Sequence, residues 1–262
     1  MRIDGNAPNF VQQQDKTNNL LKQLASARRI NSAADDAAGL QISNRLTSQI
    51  ESFSRGIQNG QDGISLLQSA ESGLAGVSDA FSRIRELSIQ AGNGALTDRD
   101  RQALQAEVSQ LQEQVSTTVQ NTNFAGVPLL NQDLDVNIQL GDQDESFQLR
   151  DVASELTTQN FQSIDISNQA GAQGALGTID NLQTFVNDIR ANFGAGQNRL
   201  DAAIRNLGNQ GESQAAARSR IADTDFAAAT AQRAANDILG QGSIAVQAQA
   251  NIQRAQVLSL LD

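Results

Sequence analysis

Asp35 and Asp36 are adjacent carboxylates, the raw material of a metal site or an acid–base pair. Neighbours on a helix point about 100° apart and do not converge on one atom. With Asn31 and Ser32 just before them as caps, they read instead as the first turn of a helix, where the helix dipole favours negative charge. Asp142, Asp144 and Glu145 alternate loosely as in a calcium loop, but the other ligands of such a loop are missing, which leaves a solvated turn. Gly194-Ala195-Gly196 lies in a helical pattern with no strand before it, so it is not a dinucleotide loop. Arg28-Arg29 is too short for a nucleic-acid patch. Ser163, Ser167 and Thr178 could carry sugars on an exposed surface, although nothing in the sequence selects them. The chain has no His and no Cys, which removes thiol nucleophiles, disulfides, thiolate and imidazole metal ligands and every His-based triad. No enzyme, no cofactor and no metal site is expected.

Composition points the same way. The net charge of −10 argues against a phosphate backbone as partner and favours solubility at high concentration. Only 3% of residues are aromatic, all of them Phe, so the core must be built from small and aliphatic side chains, which suits long helices with close backbones. Just two prolines, Pro8 and Pro128, interrupt 262 residues. No run of about 18 apolar residues exists, so no membrane insertion is expected. The N-terminus lacks the basic-then-apolar build of a cleaved secretory signal, so export would use another route.

The elements follow from spacing. Residues 1–15 are expected to start irregularly, and Leu20, Leu24 and Ala27 then share one helical face. Leu46, Ile50, Phe53, Ile57, Ile64, Leu67 and Leu74 alternate by four and three, with Gly60 and Glu71 in the two slots left over. The step of three from Leu74 to Val77 shifts the register like a stammer, and Phe81 and Ile84 continue it. One helix over 43–91 would be about 74 Å long and needs other long helices beside it. Gly92-Asn93-Gly94 ends it. Thr97 or Asp98 caps the next, whose stripe is Leu104, Val108, Leu111, Val115 and Thr118. Val136, Ile138 and Leu140, then Phe147 and Leu149, alternate as strands around Gly141–Glu145, a β-hairpin that must pack on the helices. Residues 151–174 read as loop with at most a short strand. Ile179, Leu182, Val186, Ile189, Phe193, Leu200, Ala203 and Leu207 form a third long stripe with Gly196 in its one gap. Gly208 and Gly211 interrupt it, and a last helix starts near Ser219. Its stripe is Ile238, Ala245 and Ile252, with Ala248 among them and Leu258 and Leu261 beyond.

The fold class is therefore mainly α: long antiparallel helices in a coiled-coil-like bundle with a small β-hairpin region, and N- and C-terminal helices paired. Joints are expected near Asn44 and at Gly208–Gly211. Neither chain end can bury its apolar stripe alone, so the two must bury them against each other or against other copies of the chain.

The segments Arg29-Ile30-Asn31-Ser32-Ala33 and Asp35-Asp36-Ala37-Ala38-Gly39 resemble the N-terminal signature of bacterial flagellins. Asn59–Ile64, Arg83-Ile84-Arg85-Glu86-Leu87-Ser88-Ile89-Gln90-Ala91 and Asn121-Thr122-Asn123-Phe124-Ala125-Gly126-Val127 continue the resemblance, as do Gly194–Leu200, Ala217-Arg218-Ser219-Arg220-Ile221 and Ala248-Gln249-Ala250-Asn251. The resemblance implies a secreted, extracellular filament subunit without outer variable domains. It would have an inner domain of residues 1–43 plus 221–262 and a second of residues 44–220. It implies ends that order on polymerisation, a homopolymer as product, and as partners an export chaperone, the export apparatus and hook-associated and cap proteins. It also implies Toll-like receptor 5 or a neighbouring protofilament at Arg83, Leu87, Gln90 and Glu107, of which Arg83 and Glu107 would otherwise be a solvated ion pair. The opening Met1-Arg2-Ile3-Asp4-Gly5 is faintly like the related hook–filament junction adaptor, and Asp262 is an unusual last residue. The adaptor is the alternative function.

Overall fold

The structure is a computed structural model that describes residues 7–259. The opening Met1–Gly5, Leu261 and Asp262 lie outside the described residues. The order is α1 (Ala7–Ser26), α2 (Ala37–Ala91), α3 (Asp98–Asn121), β1 (Asn123–Phe124), β2 (Val127–Pro128), β3 (Leu134–Leu140), β4 (Gln143–Leu149), α4 (Val152–Thr158), a 3-10 turn (Phe161–Ser163), α5 (Gln169–Ala222) and α6 (Phe226–Ser259). Helix replaces the irregular start expected before Asp15, because Pro8 falls in the first turn of α1, where its missing N–H leaves no bond unmade. Two compact units divide the chain: residues 1–50 with 212–262, and 51–211. Both boundaries fall inside continuous helices. Neither helix breaks at Asn44 or at Gly208 and Gly211, but the unit boundary after Gly211 falls at the expected glycine joint and the one after Ile50 lies six residues past Asn44.

In the 51–211 unit, α2 and α5 run antiparallel, with Arg85 paired to Asp180 at 2.8 Å and Arg190 to Glu71 at 2.9 Å. From Phe53 onward α2 buries a row of Phe53, Gly56, Gly60, Gly63, Leu67, Ala70, Leu74, Val77, Phe81, Ile84, Ser88 and Ala91, with Ala80 and Leu87 buried beside it. The steps within that row alternate three and four, and past Val77, where a register shift is expected, the buried face widens to take in Ala80 and Leu87. Before it, the bulky Ile57 and Ile64 of the expected stripe lie beside the row, and Gly56 and Gly63 lie within it.

Those glycines seat the hairpin. β3 and β4 pair antiparallel with Leu140 opposite Gln143, so the turn is only Gly141-Asp142 and Gln143–Glu145 belong to β4, not to the wide loop expected. Gly141 has a φ of +71°, the glycine-first pattern of a tight hairpin turn. A Cβ at Gly56 would sit 2.6 Å from the Gly141 nitrogen, and one at Gly60 or Gly63 would meet Leu140 or Ile138. Gly196 of α5 likewise makes room for the Phe147 ring. Asn59 Nδ2 donates to the Gln139 carbonyl at 2.9 Å, and Arg199 lies over Phe147 while pairing with Glu145.

Thr97 caps α3 in a capping box with Asp100. Its far end enters a two-residue ladder, β1 with β2, whose turn residues Ala125 and Gly126 both have positive φ. Arg101 is buried and donates to the carbonyls of Ala91 and Asn93, satisfying the end of α2. The stretch expected to be loop is ordered and internal: Val152 and Leu156 of α4, then Phe161, Ile164 and Ile166, are all buried. Gln112 donates to the Phe161 carbonyl at 2.7 Å, and Gln105 both donates to the Ile164 carbonyl and accepts from the Ile166 N–H. Asn168 caps α5, which begins ten residues before the first expected stripe position, Ile179.

Candidate assembly surface

The unit that joins the chain ends pairs α1 with α6. The half-buried face of α1 holds Gln13, Thr17, Leu20, Gln23 and Leu24. On α6 the covered positions are Ala229, Asn236, Gly240, Gln247 and Ala250, a row of small and amide side chains. Gln13 Nε2 donates to the Asn236 carbonyl at 3.2 Å. The groove between the two helices is lined by Gln13, Thr17, Asn236 and Gly240.

The stripe expected on α6, to be buried against the other chain end or against other copies of the chain, does not face α1. Ile238 is 69% exposed, Ile252 is 53% exposed, and Ala245 and Ala248 are exposed too. Leu239, Ile244 and Val246 are exposed beside them. Leu20 and Leu24 do lie on the covered face of α1; the side chain of Leu258, like Leu261, lies outside the described residues. α6 thus turns its polar row inward and carries its aliphatic residues on the outside. Exposed singly such residues mean little, but a run along one helix marks an interaction surface.

The two ends are tied where α1 meets α2 and α5 meets α6. Ala27 ends α1 with a φ of 56°, and the chain then pairs with the other connector. The Arg29 N–H donates to the Ala222 carbonyl at 2.7 Å, the Thr224 N–H to the Ala27 carbonyl at 3.1 Å, and Arg28 bridges Asp223. Arg29 Nη2 adds a bond to the Ile221 carbonyl. Ile30 is buried against Gly39, where a Cβ would come within 2.7 Å of its Cδ1. Asn31 and Ser32 do not cap α2. Asp36 does, accepting from the Gly39 N–H at 2.8 Å. Asp35 instead closes the preceding turn, accepting from the backbone N–H groups of Asn31 and Ser32 and from the Ser32 hydroxyl. The adjacent aspartates therefore face two different sets of amides and share no ligand. Asp225 caps α6, so that helix starts at Phe226 and not near Ser219.

The Asn31 amide, then the Ser32 amide and hydroxyl, hold the Asp35 carboxyl below its ordinary value of 3.8. A depressed folded-state pKa adds stability that is present above the unfolded value and lost as pH falls through the folded one. Acidification below the ordinary carboxylate range is therefore expected to release the Asn31 and Ser32 amides from Asp35. Amide protection at Asn31 and Ser32, corrected for intrinsic exchange, checks it: protection should fall with pH in the native chain, and Asp35→Asn should start low and stay flat.

On the 51–211 unit, Arg83 pairs with Glu107 at 2.8 Å and also with Glu86, their side chains 45%, 42% and 67% exposed in that order. Gln90 is exposed beside them. Leu87, expected on the same surface, is 1% exposed and is buried beside the main row of α2. The exposed aliphatic there is Ile89, at 55%. It was readable in the sequence as the apolar residue one step off the buried alternation. Asp144 is a strand residue opposite Gln139, and Glu145 pairs with Arg199, so these acids do not converge. Among the described residues no helix is long and apolar enough to cross a membrane.

Sequence comparison agrees with this geometry at both ends. Residues 6–134 match the bacterial flagellin N-terminal helical region and residues 176–261 the bacterial flagellin C-terminal helical region. The chain is 36% identical to the flagellar filament 30.7 kDa core protein of Treponema maltophilum, covering 94% of this chain and 93% of that one. It is 38% identical to a flagellin of Halalkalibacterium halodurans, covering 92% and 90%. Among solved structures, Bacillus cereus flagellin aligns with a TM-score of 0.53 at 30% identity, over 57% of this chain and 88% of that one. A putative flagellar hook-associated protein of Vibrio parahaemolyticus aligns with a TM-score of 0.62 over 72% of this chain and all of that one, at 15% identity, a likeness of fold. With matches at both ends and relatives more than 30% identical over nearly the whole chain, the protein is a member of the bacterial flagellin family, whose work is structural.

Proposed function

We propose that this filament subunit polymerises through its chain ends, with the exposed aliphatic run of α6 as the principal contact. The observation that carries the reading is that run, from Ile238 to Ile252, on a helix whose inward row is polar and small. Each aliphatic side chain covered by a neighbouring copy contributes about 1.5–3 kcal/mol. Repeated along a heterologous helical lattice, such contacts offset the entropy of ordering the ends. The inner assembly domain corresponds to residues 1–43 with 221–262, and the remainder, 44–220, forms the next layer. The product is an extracellular swimming filament. Its subunits would leave the cell through the flagellar export apparatus with a chaperone on their exposed ends, and meet hook-associated and cap proteins at the filament's two extremities. Free monomer would present Arg83, Gln90 and Glu107 to Toll-like receptor 5. Leu87 is too deeply buried to join them, and Ile89 is the apolar residue available there.

Ile238→Asp tests the reading. The exposed position predicts an unchanged helical signal in the monomer. A charge forced into a covered lattice contact costs several kcal/mol per site, so salt-induced filament formation should fail by light scattering and electron microscopy. Normal filaments from the variant would sink the proposal. The hook–filament junction reading rests on likeness of fold at low identity. Abundance separates the two: a filament subunit dominates sheared appendages, and an adaptor is a trace component.

A further inference from the structure

We propose that Asn93 is a site of spontaneous deamidation, set in a turn that favours the reaction, while the chain's other described Asn-Gly pair, Asn59-Gly60, is protected by the fold. The reaction is intramolecular. The Gly94 backbone nitrogen attacks Asn93 Cγ, a nitrogen–carbon bond forms, the Cγ–Nδ2 bond breaks, and ammonia leaves carrying the amide proton. Water then opens the resulting succinimide at either carbonyl, giving aspartate or isoaspartate and releasing one proton.

Three features at Asn93 suit those steps. The residue lies in the turn after α2, and both it and Gly94 are exposed. The Ala95 N–H donates to Asn93 Oδ1 at 3.1 Å, which draws electrons from Cγ and stabilises the oxygen as negative charge develops during attack. Gly94 has nothing within 4 Å of where a Cβ would stand, and among the described residues no acceptor takes its N–H. The Asn93 carbonyl meanwhile accepts from Leu96 N and from Arg101 Nη2, so the turn is held in place while its side chain and the Gly94 nitrogen stay open to solvent. Asn59-Gly60 differs: Asn59 is exposed too, but the pair lies inside α2, Gly60 is buried, the Asn59 amide donates to Gln139, and a Cβ at Gly60 would come within 2.9 Å of Ile204 Cγ1. Attack there requires the helix to open first.

The product has a physical consequence. A new carboxylate, or a lengthened isoaspartyl backbone, would appear at the negative end of the α2 dipole and beside the Arg101 contact. Subunits held in a long-lived polymer would accumulate it with age.

The test incubates full-length folded protein in neutral and mildly alkaline buffer, digests it under acidic conditions and follows both asparagines by mass spectrometry. Conversion at Asn93 should exceed that at Asn59 by more than about tenfold, since helix opening costs at least a factor of ten. The ratio should collapse towards one in urea, and Gly94→Ala should slow Asn93 alone. A smaller ratio in the folded chain would overturn the proposal. So would a ratio that persists in urea, because the fold would then not be its cause.

Discussion

Replacing Phe161 by alanine is expected to lower the unfolding free energy of the full-length monomer by about 3–5 kcal/mol, the cost of emptying a fully buried aromatic site. The ring is wholly buried and meets Phe81 edge to face, with centroids 5.3 Å apart and planes at 64°. That pairing contributes beyond the area it covers. Collapse around the gap is restricted because the surrounding backbone is pinned. The Phe161 carbonyl accepts from Gln112, and Gln105 holds Ile164 and Ile166 from two turns earlier in α3. A neighbouring change on the same segment, Gln162→Ala, touches only an exposed bond to Ser116 and should cost little. Urea unfolding of the two variants beside the parent is the check. A loss under about 1 kcal/mol for Phe161→Ala would mean that the segment between α4 and α5 is draped over the bundle and does not cement it.

That segment was illegible for a definite reason. Val152, Leu156, Phe161, Ile164 and Ile166 are spaced by four, five, three and two, across a two-turn helix and a single 3-10 turn. No window there is long enough for a period to emerge. The long helices were readable because each sustains its stripe over many turns, and α5 follows its expected row from Ile179 to Leu207 with Gly196 in the gap. Bulk is a poor guide to the face a helix turns towards its own chain. In α2 it favoured Ile57 and Ile64 over Gly56 and Gly63, which lie in the buried row. In α6 the contact with α1 is made by Asn236, Gly240 and Gln247, while Ile238, Ala245 and Ile252 of the expected assembly stripe stay exposed. A subunit that buries its surface in a polymer breaks the rule that apolar residues are inside the chain, because some of its interior is supplied by other copies. The motif at Arg29–Gly39 was legible as a signature but not as a mechanism. Its role in tying the connectors together depends on backbone bonds to Ala222 and Thr224, nearly two hundred residues away.

The glycines of α2 make the second large effect, and its sign is the informative part. Alanine in place of glycine inside a helix normally stabilises by about 1 kcal/mol. At Gly56 the added methyl would sit 2.6 Å from the Gly141 nitrogen and 2.9 Å from the Leu140 carbonyl carbon, both backbone atoms of the hairpin turn. Backbone in a two-residue turn has no rotamer to change, so the whole hairpin must lift. Lifting it would stretch the Asn59–Gln139 bond and loosen Leu140 from the core. Overpacking of this kind costs about 1–3 kcal/mol beyond the helix gain it cancels. At Gly63 the same methyl would meet Ile138 Cγ1 at 3.1 Å and Leu200 Cδ1 at 3.3 Å, atoms of flexible side chains that can move a few tenths of an ångström. Gly56→Ala should therefore destabilise the monomer by about 2 kcal/mol and strip amide protection from β3 and β4, whereas Gly63→Ala should be close to neutral. Two substitutions with the same chemistry, two turns apart on one helix, would then differ only in what the hairpin presents to them. If both stabilise equally, the hairpin is not seated on α2 by close backbone approach, and the unbroken row of buried positions from Phe53 to Ala91 would need another cause.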